Sequence, residues 1–195
     1  GVQIVETRRF ATGSDPRQRE QTNVRLLTQG IEYDVVLIVD TLDEIGRTLP
    51  YQTVLPRPVV GTHGLTPVAW HWAFERHGAP QLNQRFARQV QGARSMTDAE
   101  FGAWAAVRAI VEAYSRAPAR DRATVLAALH DPSTTFDLYK GAPASFRAWD
   151  NQLRQPILLA TTAAVIVRAP VEGFLHATNN LDTLGRDAPE TACRL

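Results

Sequence analysis

Apolar and polar positions alternate through Val2-Gln3-Ile4-Val5, and the stretch running on to Phe10 reads as a strand. Thr12-Gly13-Ser14-Asp15-Pro16 then reads as a loop entering a helix. Asp15 suits the N-cap and Pro16 the first helical position, where no N–H is needed. Val24, Leu27 and Ile31 share a face of that helix, and Gly30 suits its end. Next, Val35 to Val39 are five consecutive apolar residues, mostly β-branched. Such a run fits a strand covered on both faces, as in a parallel sheet between helices. A short helix with Ile45 and Leu49 facing inward follows. Pro58-Val59-Val60-Gly61 is a third strand, ending at Thr62-His63-Gly64. The order β-α-β-α-β predicts an α/β fold, an open parallel sheet flanked by helices with right-handed crossovers.

The second half carries a different pattern. Residues 67–90 mix Trp, His, Arg and Pro without a clear period. Thr97-Asp98-Ala99-Glu100 is a capping box, and the helix it opens sets Phe101, Trp104, Val107, Val111 and Tyr114 at helical spacing. Another helix follows Asp121, with Val125, Leu126 and Leu129. Ile157-Leu158-Leu159 and Val165-Ile166-Val167 flank Thr161 to Ala164 and predict a C-terminal antiparallel hairpin, stopped outside by Pro156 and Pro170. The remainder, Glu172 to Leu195, reads as a polar extended tail over the surface.

Composition narrows the function classes. The 195 residues carry 21 Lys+Arg against 20 Asp+Glu, a net charge of +1, so no basic field points to nucleic acid or a membrane surface. No apolar run has the length of a membrane span, so no membrane insertion is expected. A single cysteine, Cys193, excludes an internal disulfide framework and a Cys-rich zinc module. Lys140 is the only lysine, a bias that genome composition explains. The chain opens at Gly1 inside a strand-like segment without Met or signal sequence, which suggests a piece of something longer.

Motifs of catalysis are absent from the sequence. It has no Gly-rich phosphate loop, no G-x-S-x-G and no H-E-x-x-H. Weak metal candidates are His71, Glu75 and His77; on a helix His71 and Glu75 would share a face, but a third ligand is needed. Asp40, Asp43 and Glu44 lack the ligand spacing of a calcium loop and suit a helix N-terminus. Asn179-Asn180-Leu181-Asp182 suits turn hydrogen bonding. Location says more than motif. Ligands of open parallel sheets bind beyond the carboxyl ends of the strands, so the ligand-binding candidates are Thr12, Asp15, Asp40, Thr41, Thr62 and His63.

Several segments in order carry a family resemblance. They are the Gly-Val-Gln-Ile-Val strand, the Asp-Pro-Arg-Gln helix start, Tyr33-Asp34-Val35-Val36, Pro58 to Gly64 and Ser145-Phe146-Arg147-Ala148-Trp149-Asp150. The chain resembles the later part of type I periplasmic substrate-binding proteins, the branched-chain amino-acid-binding class of ABC importers. Trp70-His71-Trp72, Glu75 to Pro80 and Asn179 to Gly185 are most similar to a subgroup accompanying pyrroloquinoline-quinone-dependent alcohol dehydrogenase systems. The resemblance implies a second α/β lobe from residues 1–92 and 156–170, a helical segment 93–155 that packs on a missing first lobe, and a tail 171–195. It also implies a periplasmic location, an ABC permease as partner, no cofactor, and a small ligand held by hinge closure in an interlobe cleft. Asp40, Thr41, Thr62 and His63 would face that ligand. A histidine at position 63, where amino-acid binders tend to carry an acid, fits a carboxylate, an alcohol-derived compound, a quinone or a metal complex. Helices stripped of the first lobe would need a homodimer partner. The competing expectations are an accessory protein of the dehydrogenase system and a metal- or lanthanide-binding protein. A hydrolase ranks last, for want of a visible nucleophile–base pair.

Overall fold

A computed structural model describes residues 1–10 and 22–192. The chain divides into two compact units. Unit 1 comprises Gly1–Thr66 with Ala160–Thr162, and unit 2 comprises Pro67–Leu159 with Ala163–Leu195.

Unit 1 is built around one parallel strand pair. Helix α1 (Val24–Thr28) begins at Asn23, whose side chain accepts from the Arg25 N–H. Strand β1 (Val36–Ile38) pairs in parallel with β2 (Val59–Gly61), Leu37 opposite Val60. Val24, Ile38, Ile45, Leu49 and Val59 form the core, with Phe10, Leu27 and Val36 against it. A 3-10 turn, Leu49–Tyr51, lies on the connection between the strands, where a short helix was expected.

Unit 2 holds the larger core. Strand β3 (Thr66–Val68) is followed by helices α2 (Ala79–Gln89), α3 (Asp98–Arg116) and α4 (Arg122–His130). Then come the short strands β4 (Phe136–Asp137), β5 (Pro143–Phe146), β6 (Leu153–Arg154), β7 (Ile157–Ala160) and β8 (Val165–Ala169). Strands β4, β5 and β6 form an antiparallel meander, while β7 lies between β3 and β8 in a separate sheet. The Thr97 hydroxyl accepts from the Glu100 N–H, and the Glu100 carboxylate reaches back to the Thr97 N–H. Arg94 and these Thr97 bonds hold the Glu100 carboxyl down at about 2. Asp121 caps α4 through the Thr124 N–H.

The buried face of α3 is Phe101, Ala105, Ala109 and Ala113, one residue per turn. Phe101 stacks on Trp70 at 4.8 Å between ring centroids. Three alanines in that stripe let the helix lie close against its neighbours. The larger side chains Val107, Ile110, Val111 and Tyr114 are therefore turned outward and half exposed. Of the residues whose spacing marked an apolar stripe, Phe101 is buried, while Val107, Val111 and Tyr114 lie on the open side.

The expected fold class is overturned. Among the described residues there are three separate sheets of two or three strands, and β1–β2 is the one parallel pair. This is not an open parallel sheet flanked by helices. The physical reasons are local. Residues 1–10 form no strand, and Val2 and Ile4 lie open to solvent. Strand β1 buries Ile38 and leaves Leu37 and Val39 about two-thirds exposed (67% and 70%), so its apolar run is not covered on both faces. Strand β2 stops at Gly61, whose φ of +118° no ordinary side chain tolerates; a Cβ there would lie 2.1 Å from the Ile38 carbonyl oxygen. The tail is also less superficial than expected, since Leu181 and Asp182 are buried.

A candidate ligand site at the strand ends of unit 1

Asp40 follows β1 directly, and its side chain is 4% exposed as a residue. Its carboxylate accepts from the N–H groups of Leu42 (3.3 Å), Ile45 (2.9 Å) and Gly46 (2.8 Å). Burial pushes this carboxyl up, and the backbone N–H bonds from Ile45, Gly46, Glu44 and Leu42 outweigh it, so the group sits below the ordinary aspartate range. Asp40 is thus the anchor of the 41–46 loop. Its acceptor capacity is spent on the backbone rather than offered to a ligand.

Thr62 and His63 follow β2. The Asp40 N–H donates to Thr62 Oγ1 at 2.9 Å, tying the two strand ends together. Thr62 Oγ1 lies 3.1 Å from His63 Nδ1 and 3.3 Å from the Ile38 carbonyl oxygen. On its other side, His63 Nε2 lies 2.9 Å from Asp43 Oδ1. The hydroxyl has one hydrogen, so two arrangements satisfy every group. In the neutral imidazole, Nε2–H donates to Asp43 and the Thr62 hydroxyl donates to Nδ1. In the imidazolium, Nδ1–H donates to Thr62, whose hydrogen turns to the Ile38 carbonyl. Either arrangement leaves each of these groups with a hydrogen-bond partner. As a hydrolytic triad it is poor, because the Thr62 oxygen already accepts the Asp40 N–H.

Asp43 also pairs with Arg47 four residues on. The His63 ring rests on Gly46, where a Cβ would fall 2.2 Å from Nδ1. Gly46→Ala is expected to expel the ring, break both His63 contacts and cost about 1–3 kcal/mol by overpacking. Nitrogen NMR of the His63 imidazole, with thermal melting, measures both effects. An unchanged His63 spectrum in a folded variant would contradict this seating.

The structure thus brings Asp40, Thr62 and His63 together and adds Asp43, Gly46 and Arg47. Thr41 is exposed beside them. Thr12 and Asp15 fall outside the described residues, as does Cys193. The spacing of Asp43 and Arg47 was a readable ion-pair signal. Gly46 gave no sequence signal, since the need for a missing side chain appears only when the ring lies on it.

His71, Glu75 and His77 do not share a helix face, because residues 71–77 form turns. His71 Nδ1 accepts from the Ala73 N–H and its ring stacks on Trp72. His77 has φ +55° and rests against Gly141, where a Cβ would fall 2.3 Å from Nε2. Among the described residues no group of three or more His, Cys, Asp or Glu side chains is arranged to hold a metal ion.

Two open grooves of about 370 and 340 Å³ lie in unit 2, one along α4 and one between α2 and Trp104. Neither includes a strand-end residue. No helix among the described residues is long and apolar enough to cross a membrane. No family model, curated protein or solved structure matches the chain.

Proposed function

We propose that this chain is the solute-binding component of an ABC-type uptake system, periplasmic and linked to PQQ-dependent alcohol oxidation. In this reading it is a binder and not an enzyme. The small ligand meets the strand-end cluster of unit 1, and a membrane permease receives the loaded protein. One observation carries this reading. The carboxyl ends of the parallel pair bear a polar cluster with a buried anchor, Asp40, and a partly exposed tip, His63 with Asp43. Ligands of open parallel sheets bind beyond such carboxyl ends; here one parallel pair supplies them, and the residue pattern around it is what resembles the importer family.

Thermal melting of the protein against small carboxylates, alcohols, quinones, divalent ions and lanthanide ions tests the reading. At least one class is expected to raise the melting temperature of the wild type and to lose that effect in His63→Ala. Failure of every class would overturn it.

A second reading has its own support. Val107, Ile110, Val111 and Tyr114 leave an apolar strip open along α3, and strips of this kind commonly mark a protein contact. A second copy of the chain would cover it. An accessory role on the dehydrogenase would use the same strip and would leave the strand ends without a ligand. Co-purification with the dehydrogenase, together with indifference to every small ligand, would favour that role.

A further inference from the structure

We propose that His63 and Arg47 form a carboxylate socket, which Asp43 fills in this structure and which the carboxylate of a small ligand takes in its place. The inference rests on the strand-end reading above and names the ligand class for that site.

Asp43 binds as a ligand carboxylate would. Its two oxygens are divided between two donors, Oδ1 to His63 Nε2 at 2.9 Å and Oδ2 to the Arg47 guanidinium. A carboxylate shared by an imidazole and a guanidinium is a strong, charge-assisted arrangement, and any carboxylate of similar reach satisfies both donors. Its φ is +59°, in the left-handed region, where glycine is at least as well accommodated as aspartate. Thr41, Leu42, Asp43 and Glu44 are all exposed, so the loop tip can leave without uncovering a core.

His63 stays in place when Asp43 leaves, and the 76%-exposed Arg47 side chain reaches the same carboxylate from the loop base. His63 is seated on Gly46 and bonded to Thr62. The base of the loop is fixed independently, because the Ile45 and Gly46 N–H groups donate to buried Asp40. The outward-reaching Arg47 follows directly on Gly46. Asp43 is thus an internal competitor with the advantage of its tether, whose effective concentration is typically millimolar or more. Small free carboxylates should bind the wild type weakly and the emptied socket well.

The test is Asp43→Gly, which empties the socket and suits a positive φ. Melting curves and His63 nitrogen spectra are recorded against acetate and formate at constant ionic strength, with acetamide as the neutral isostere. The expected result is saturable stabilisation by acetate in Asp43→Gly, with a midpoint at least about tenfold lower than in the wild type, and a shift at His63 Nε2. Acetamide should do neither, and the added change Arg47→Ala should abolish the response. An Asp43→Gly protein that is folded and answers acetate no better than acetamide overturns the socket. That failure is separable from failure of the binding function. A non-carboxylate ligand acting through His63 would leave the strand-end site standing and sink the socket alone.

Discussion

Replacing Arg147 with methionine should destabilise the protein by about 3–5 kcal/mol, the usual cost of breaking a buried ion pair from one side. The side chain is 2% exposed and its donors are fully engaged. Nε donates to Asp182 Oδ1 at 3.0 Å and Nη1 to Gln152 Oε1 at 2.6 Å, while Nη2 donates to the carbonyls of Leu181 and Leu184. One guanidinium therefore fastens the C-terminal segment to the β5–β6 hairpin. Arg154 Nε shares the same Asp182 oxygen at 2.6 Å, and Trp149 lies about 5 Å from both guanidinium carbons. Methionine would fill part of the volume but would take a donor from the Leu181 and Leu184 carbonyls, leaving Leu181 only the Leu184 N–H, and would leave Asp182 one of its two guanidinium partners. Hydrogen exchange should show the loss first at Leu181 to Leu184. Adding Asp182→Leu to Arg147→Met should cost less than the sum of the two single changes, because each alone strands its partner. A loss below 1 kcal/mol, or strict additivity, would show that the clasp does not hold the tail.

Lys140→Met should cost about 3 kcal/mol near pH 9, and the deficit should shrink as the pH falls toward 7. Lys140 is fully buried, and its ammonium donates to the Ala69 carbonyl at 2.9 Å, Gln155 Oε1 at 2.6 Å and the Pro156 carbonyl at 2.5 Å. The Phe101 ring lies 5.2 Å away. Near pH 9 the folded amine is neutral and has two hydrogens for these three oxygens, so methionine removes two donated bonds and leaves buried oxygens unpaired, each costing about 1 kcal/mol or more. The pH dependence follows from burial, which pushes the Lys140 group down to about 7, with nearby Asp98 pulling weakly the other way. In the unfolded chain lysine titrates near 10.4. Between those values the unfolded chain holds a proton that the folded one lacks, so this group makes stability rise with pH across the window. The methionine variant has no such contribution. Denaturant titrations of both proteins at pH 7, 8, 9 and 10 measure the difference. A deficit that stayed flat or grew toward pH 7 would refute the assignment.

Short-range features were legible in the sequence because their partners are a few residues apart. The Thr97–Glu100 capping box, the Asp121 cap and the stretches at 36–38, 59–61, 157–160 and 165–169 are all present as elements. Each depends on a reach of three or four residues, or on a run of β-branched side chains. Polar residues expected at the strand ends were legible for the same reason. Asp40, Thr62 and His63 stand where two apolar runs stop. The face of α3 was not legible, since periodicity marks several stripes and only the neighbours select one. Here they selected the alanines, which allow close approach, over Val107, Val111 and Tyr114.

By itself the sequence determined where α3 and α4 begin, where β1, β2, β7 and β8 lie and which polar groups follow the first two, because capping and β-propensity act through local backbone geometry. The tertiary structure alone decided the sheet, and it replaced the expected open parallel sheet with one parallel pair and two further small sheets. It alone brought His63 onto Asp43 across 20 residues, Arg147 onto Asp182 across 35 and Lys140 onto Ala69 across 71. Such pairings are set by chain closure and by the desolvation of charges in a particular packed interior. Neither the spacing of residues nor their type carries that information.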